Sequence, residues 1–243
     1  MSISVLQGGL QSTVQDLGRN GYAHYGISAS GAADAVSLRI GNLLVGNPED
    51  YSGLEMTLTG GEYQFNKEAF IALSGSEFHA NLDGETFPFQ QGAYIRKGQI
   101  LHIGGTKKGA RCYLCVRGGF DIPKYLSGVT THIMSGLGGF KGRSIEKGDE
   151  LKIGSMKKVS QPIVIKESHE INSSIIRISK GLQYDWYEEN AWSSFISQSY
   201  TVSEKSSIIG GYASLRYSEN TQSDEATSLL TRITKFGSDI ENR

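Results

Sequence analysis

Cysteine is scarce in this chain, as are surplus charge and long apolar runs, and each shortage closes off a class of function. The only two cysteines, Cys112 and Cys115, lie in the segment RCYLCV. At a separation of three they point to opposite faces of a strand, so neither a disulfide nor a shared metal is expected. The charge is balanced, with 24 Lys+Arg against 25 Asp+Glu. Residues 1–156 carry 14 basic and 14 acidic side chains, so no basic face hides in the total and a nucleic acid partner is not expected. No apolar run approaches the ~20 residues of a membrane span. The N-terminus, MSISVLQGGLQSTVQDLG, lacks the basic and apolar regions of a signal peptide, which points to a cytoplasmic protein. The histidines at 24, 79, 102, 132 and 169 are too far apart for zinc spacing, and no metal is expected. The stretch GLGGFKGRS around Gly136 satisfies neither the P-loop pattern nor G-x-G-x-x-G, and reads as a turn-rich connection.

What is abundant is glycine, with 31 residues. It punctuates short apolar runs: Ser2–Leu6, Gly53–Leu58, Ala69–Leu73, Tyr94–Arg96, Ile100–Ile103, Cys112–Val116, Leu151–Ile153, Ile163–Ile165 and Ile175–Ile178. Pairs such as Asp83-Gly84, Lys97-Gly98 and Lys147-Gly148 place reversals between them. The implied class is mainly β and antiparallel. Two stretches have helical spacing instead. Ser30–Val45 repeats Val36, Ile40, Leu43 and Leu44 on one face, with Ser30 as N-cap, Asp34 in the first turn and Gly46-Asn47-Pro48 as stop. Asp185–Phe195 is a short amphipathic segment. Composition shifts divide the chain into a β domain over 1–156, the start of a second β unit over 160–205, and a polar tail over 206–243 expected to be poorly ordered.

Chemistry concentrates in Gln11–Asp34, QSTVQDLGRNGYAHYGISASGAAD. Asp16 and Arg19 could pair there, leaving the guanidinium to hold a carboxylate or phosphate. Glycines 18, 21, 26 and 31 would admit backbone amides to such an anion, and the helix starting near Ser30 would aim its N-terminus at it. The alternative is a turn in which Asp and Arg satisfy each other. Arg117, at a strand end before two glycines, and Glu55, a charge inside an apolar strand, are further candidates.

The runs GLQSTVQDLGRNGYAHYGISASGAADAVSLRIGNLLVGN, GLEMTLTGGEYQF, RCYLCVRGGFDIP and LSGVTTHIMSGLGGFKGRSIEKGDEL resemble the allophanate-hydrolase-subunit-2-like family. That family includes the C subunit of 5-oxoprolinase, the KipI antagonist and the biotin-dependent carboxyltransferase part of urea amidolyase. The resemblance implies a cyclophilin-like β-barrel with a packing helix, followed here by an incomplete second β unit. It also implies ATP-dependent opening of 5-oxo-L-proline to L-glutamate, with ATP shared between this chain, a KipI-like B component and a lactam-opening A component. Carried over by position, the site is Gln15, Asp16, Arg19, Ser30, Asp34, Asn47, Glu55, Arg117 and Thr131. By chemistry Arg19 and Arg117 would hold oxyanions, while Asp16 would act as acid, base or orienting group, with Gln15 beside it. Two departures stand out. Ser127-Gly128-Val129-Thr130-Thr131 replaces the family's Gly-Ser-x-Ser-Thr, and its later Gln-x-Pro, Asp-x-x-Thr and Gly-Gly-Tyr-Pro signatures are missing, so the resemblance ends near Lys205 and the chain alone is expected to be inactive. The alternatives are biotin-dependent carboxyl transfer, whose biotin would sit on another protein because no biotinyl-lysine motif occurs here, and non-catalytic antagonism of a KipI-like protein.

Overall fold

A computed structural model describes residues 1–155, 165, 184–186, 188–197, 201–202 and 213–214. The chain divides into two compact units, the first containing Met1–Lys166 and the second Glu167–Phe236. In the first unit the strands are β1 (Ser2–Gln7), β2 (Ser12–Gln15), β3 (Gly53–Thr57), β4 (Glu62–Phe65), β5 (Ala69–Gly75), β6 (Phe78–Leu82), β7 (Glu85–Thr86), β8 (Ala93–Ile95), β9 (Ile100–Thr106), β10 (Arg111–Val116) and β11 (Glu150–Lys152). One helix, α1 (Ala35–Leu44), packs among them. The strands form two antiparallel sheets, ordered β11-β1-β4-β9-β6-β7 and β2-β3-β10-β5-β8.

The sheets face each other across one apolar core. Ile3, Val5, Tyr63, Phe65, Leu101 and Ile103 come from the first sheet, and Val14, Leu54, Met56, Ile71, Leu73 and Leu114 from the second. The other face of the second sheet is covered by α1, where Leu38 and Leu44 meet Ala72, Tyr113 and Cys115. Strand β10 is therefore buried on both sides, which is why RCYLCV reads as a continuous apolar run. Its two cysteines fall in different core clusters, Cys112 between the sheets and Cys115 under α1, as the period of two requires. Gly41 lets the helix approach the sheet, since a Cβ there would lie 2.6 Å from the Cys115 sulfur.

The mainly β architecture with a packing helix is borne out. The strands do not close a continuous barrel, because loop segments cover the sheet edges instead of pairing the sheets with one another. Thr131 N–H donates to the Val14 carbonyl at 3.0 Å and Ile145 N–H to the Ser12 carbonyl at 2.8 Å, along the free edge of β2. Asp121 N–H does the same for Lys152 of β11. The helix starts later than its hydrophobic spacing suggests. Asp34 is the N-cap, its carboxylate accepting from Ser37 N–H at 3.0 Å. Ser30 is not the cap, because its φ of 52° places it in a left-handed turn upstream. The second unit shows a helix, α2 (Glu189–Ser197), and two short paired strands, β12 (Thr201–Val202) and β13 (Ala213–Ser214). The expected strands at Ile163–Ile165 and Ile175–Ile178 fall almost wholly outside the described residues, as does most of the polar tail. Among the described residues no helix is long and apolar enough to cross a membrane.

Candidate functional site

Three segments meet at Thr130: the end of β2 running into Gln15–Arg19, the turn Ser28–Asp34, and the edge segment Gly128–Thr131. Gly31 N–H donates to the Thr130 hydroxyl at 2.8 Å, and that hydroxyl donates to the Gln15 side-chain carbonyl. The Gln15 amide nitrogen donates to Thr13 Oγ1 at 2.9 Å and to the Thr131 carbonyl at 3.2 Å. Between the first two segments the backbones nearly touch. Arg19 N–H reaches the Ala29 carbonyl at 2.8 Å, and a Cβ at Gly18 would lie 2.9 Å from the Ser30 carbonyl oxygen. With φ values of 93° and 96°, Gly18 and Gly31 are the two residues that make this crossing possible.

Asp16 and Arg19 do not pair. The Asp16 carboxylate is spent on backbone amides, Gly18 N–H at 2.8 Å and Val129 N–H at 2.7 Å, and so clips the first segment to the third. Arg19 is only 1% exposed, and among the described residues no ion pair involves it. Its Nη2 donates to the Thr130 carbonyl, its guanidinium carbon sits 5.7 Å from the centre of the Tyr125 ring, and its Nε has no partner. A buried cation without a counter-ion costs several kcal/mol. That is the reverse of a residue placed for stability alone.

Just before α1, the four successive amides of residues 31–34 are engaged. Ala32 N–H donates to the Asp16 carbonyl at 2.8 Å, Ala33 N–H to Glu55 Oε2 at 2.7 Å, and Asp34 N–H to the Tyr113 hydroxyl at 2.8 Å. With Gly31 bound to Thr130, these four amides are turned to partners within the chain. Glu55 is 2% exposed and accepts a second bond from the Tyr113 hydroxyl at 2.7 Å, with Arg111 Nε 3.6 Å from its other oxygen. Burial raises its pKa above the usual carboxylate range, partly offset by the Ala33 amide, the Tyr113 hydroxyl and the Arg111 charge. Burial, and then the Glu55 charge, push the Tyr113 hydroxyl far up.

The sequence-derived candidates thus separate into three groups. Gln15, Asp16, Arg19, Ser30 and Thr131 lie in the cluster around Thr130. Glu55 and Asp34 form a neighbouring network through Tyr113. Asn47 and Arg117 stand apart, at the C-terminal end of α1. Asn47 donates to the Val116 carbonyl at 2.8 Å and accepts from Gly118 N–H at 2.8 Å, tying the helix end to β10. Arg117 Nε donates to the Val45 carbonyl at 2.9 Å, and its guanidinium stacks 4.2 Å from the Phe70 ring centre. Thr130, Tyr113 and the glycines after His132 were not singled out from the sequence. A Cβ on Gly138 would lie 2.5 Å from Arg19 Nη2, so the run set aside as a mere turn forms a wall of the arginine cell.

Comparison with known proteins places this geometry in a family. The family model for the carboxyltransferase domain, subdomains A and B, matches residues 25–237, beyond Lys205 where the sequence motifs give out. The chain is 32% identical over 212 residues to the C subunit of 5-oxoprolinase from Escherichia coli strain K12, covering 86% of this chain and 67% of that protein. It is 37% identical over 155 residues to urea amidolyase of Saccharomyces cerevisiae, covering 63% of this chain but only 8% of that much longer protein. The crystal structure of Kluyveromyces lactis urea amidolyase superposes with a TM-score of 0.74 at 28% identity, over 87% of this chain and 14% of that one.

Proposed function

This chain belongs to the carboxyltransferase-domain family, and on that premise we propose that it is one component of an ATP-dependent 5-oxoprolinase, acting in a cytoplasmic complex with a lactam-opening A component and a KipI-like B component. The observation that carries the reading is the reach of the similarity. The match takes in 67% of the Escherichia coli C subunit, whereas the matches to urea amidolyase take in only 8% of the yeast protein and 14% of the Kluyveromyces lactis one.

The chemistry of the first unit is compatible with this assignment. Opening 5-oxoproline to glutamate needs the substrate carboxylate held and charge on the attacked lactam oxygen stabilised. Arg19 supplies a fixed, desolvated guanidinium, which is worth more in a water-poor cell than at the surface. Gln15 and Asp16 orient the segments that hold it. The amides of residues 31–34 are engaged within the chain, and on this reading ATP is shared with the partner proteins. The test is ATP-dependent glutamate release by this chain co-expressed with its lactam-opening and KipI-like partners. Absence of both a stable complex and glutamate release, with urea-dependent turnover of a carboxylated biotin carrier instead, would move the assignment to carboxyl transfer.

A further inference from the structure

Dipeptides that can close on themselves are rare in this chain: Asn-Gly occurs once, at Asn20-Gly21, and Asp-Gly once, at Asp83-Gly84. Glycine in the second place leaves its backbone nitrogen uncrowded, so that it can attack the side-chain carbonyl before it. The structure treats the two pairs oppositely. Asp83-Gly84 is the turn between β6 and β7, and its groups are engaged. Asp83 Oδ1 accepts from Ile100 N–H at 2.9 Å and Oδ2 from the Gln99 amide at 2.9 Å, while Gly84 N–H donates to the Asn81 side-chain carbonyl at 3.3 Å. The Ile100 bond first, and then the Gln99 bond, hold the Asp83 carboxyl below its ordinary range, so it stays an anion and a poor electrophile.

Asn20-Gly21 is open. It forms an exposed turn immediately after Arg19. Among the described residues no hydrogen bond engages the Asn20 side chain or Gly21 N–H. Gly21 has a φ of 91°, and a Cβ on it would meet nothing within 4 Å. The chain on either side is fixed. Arg19 N–H reaches the Ala29 carbonyl at 2.8 Å, and the Tyr22 carbonyl accepts from Tyr25 N–H at 3.0 Å and Ile27 N–H at 3.3 Å. An unengaged nucleophile and an unengaged electrophile thus adjoin in water, on an asparagine of the thermolabile kind, between two anchored residues.

We propose that Asn20 is a site of spontaneous modification by water, and that the change loosens the anchor of Arg19. Hydroxide takes the Gly21 amide proton, the nitrogen attacks Asn20 Cγ to close a cyclic imide, and the C–NH2 bond breaks with release of ammonia. One water then opens the ring at either carbonyl and leaves aspartate or isoaspartate, with nothing oxidised or reduced. The product is an acid next in sequence to Arg19, and its isoaspartyl form threads an extra carbon through the main chain between the Arg19 and Tyr22 anchors. The inference does not rest on the oxoprolinase reading and needs neither partners nor turnover. The full chain is held at pH ~7 and at pH ~8 and mapped by peptide mass spectrometry with fragmentation that separates aspartate from isoaspartate. Asn20 is expected to gain about 1 Da, about tenfold faster at the higher pH as hydroxide rises, while Asp83 stays aspartyl. Asn20→Gln, whose longer side chain would need a larger ring, should abolish the change at that position. Modification of Asn20 only after denaturation, or of Asp83 before Asn20, overturns the site. Deuterium exchange at the Arg19 amide reads the consequence: protection should fall in the aged parent chain and hold in Asn20→Gln aged beside it. Equal protection in the two overturns the effect on Arg19.

Discussion

Replacing Asp16 by Asn separates a structural clip from an acid–base group. In the native chain the carboxylate accepts from two amides, Gly18 at 2.8 Å and Val129 at 2.7 Å, and the second bond bridges 113 residues of sequence. Each hydrogen bond to a charged group contributes roughly 1.5–3 kcal/mol. Asparagine keeps one acceptor oxygen, so one amide keeps its partner. The other then faces an NH2 group, and a buried donor is left unsatisfied at a further cost of ~1–3 kcal/mol. Allowing for partial relaxation, a net loss of about 2–4 kcal/mol is expected, a large share of the ~5–15 kcal/mol that holds a domain together. For a unit of this size that lowers the melting temperature by about 5–15 °C. Differential scanning calorimetry and urea titration of Asp16→Asn beside the parent chain measure it. A variant that melts within ~1 °C of the parent while losing turnover in the assembled enzyme would refute the clip and restore Asp16 as the acid or base.

Gly138→Ala should destabilise the chain more than Gly136→Ala, because both have positive φ but only at 138 would the new Cβ meet Arg19 and the Thr130 carbonyl; parallel thermal melts compare them. Tyr113→Phe removes the bond to Glu55 and the acceptor for Asp34 N–H, and should cost about 1–3 kcal/mol in chemical denaturation. Asp149 is held down at about 2 from an ordinary 3.8, chiefly by its hydrogen bonds from Arg143. A depressed carboxyl contributes stability above its unfolded pKa and loses it as pH falls, so the loss should run from about pH 4 to about pH 2 and be reduced in Arg143→Gln, where the Glu146 amide and Lys141 still hold Asp149, as followed by acid titration of circular dichroism. Cys112 and Cys115 are buried and their thiols are pushed far up by that burial, so a thiol reagent at pH ~8 should leave both unmodified in the folded chain and label both once it is denatured.

Class and chemistry were legible in the sequence to different depths. Apolar runs that must be buried betray themselves by composition alone, and so β1, β3, β5, β9, β10, β11 and the helix could be read directly. The opposite faces of Cys112 and Cys115 followed from the two-residue period of a strand. Strand β2 escaped because STVQ is half polar; Gln15 finds its partners on Thr130 and Thr131, more than a hundred residues away, and donates in turn to Thr13. The motif around Gln15–Arg19 falls where three segments meet at Thr130, and its residue types point to an anion. Sequence proximity suggested that Asp16 and Arg19 neutralise each other, and only the tertiary structure decided otherwise. Each side chain found backbone partners on a distant segment, which left the arginine charge uncompensated. The same holds for Glu55 and Tyr113, which adjoin only through strand register, and for Asn47 and Arg117, whose hydrogen bonds to the Val116 and Val45 carbonyls tie the end of α1 to β10. Local pattern determines which residues are buried and where the chain turns. Which polar groups satisfy one another is set by contacts between segments remote in sequence, and no local pattern encodes those.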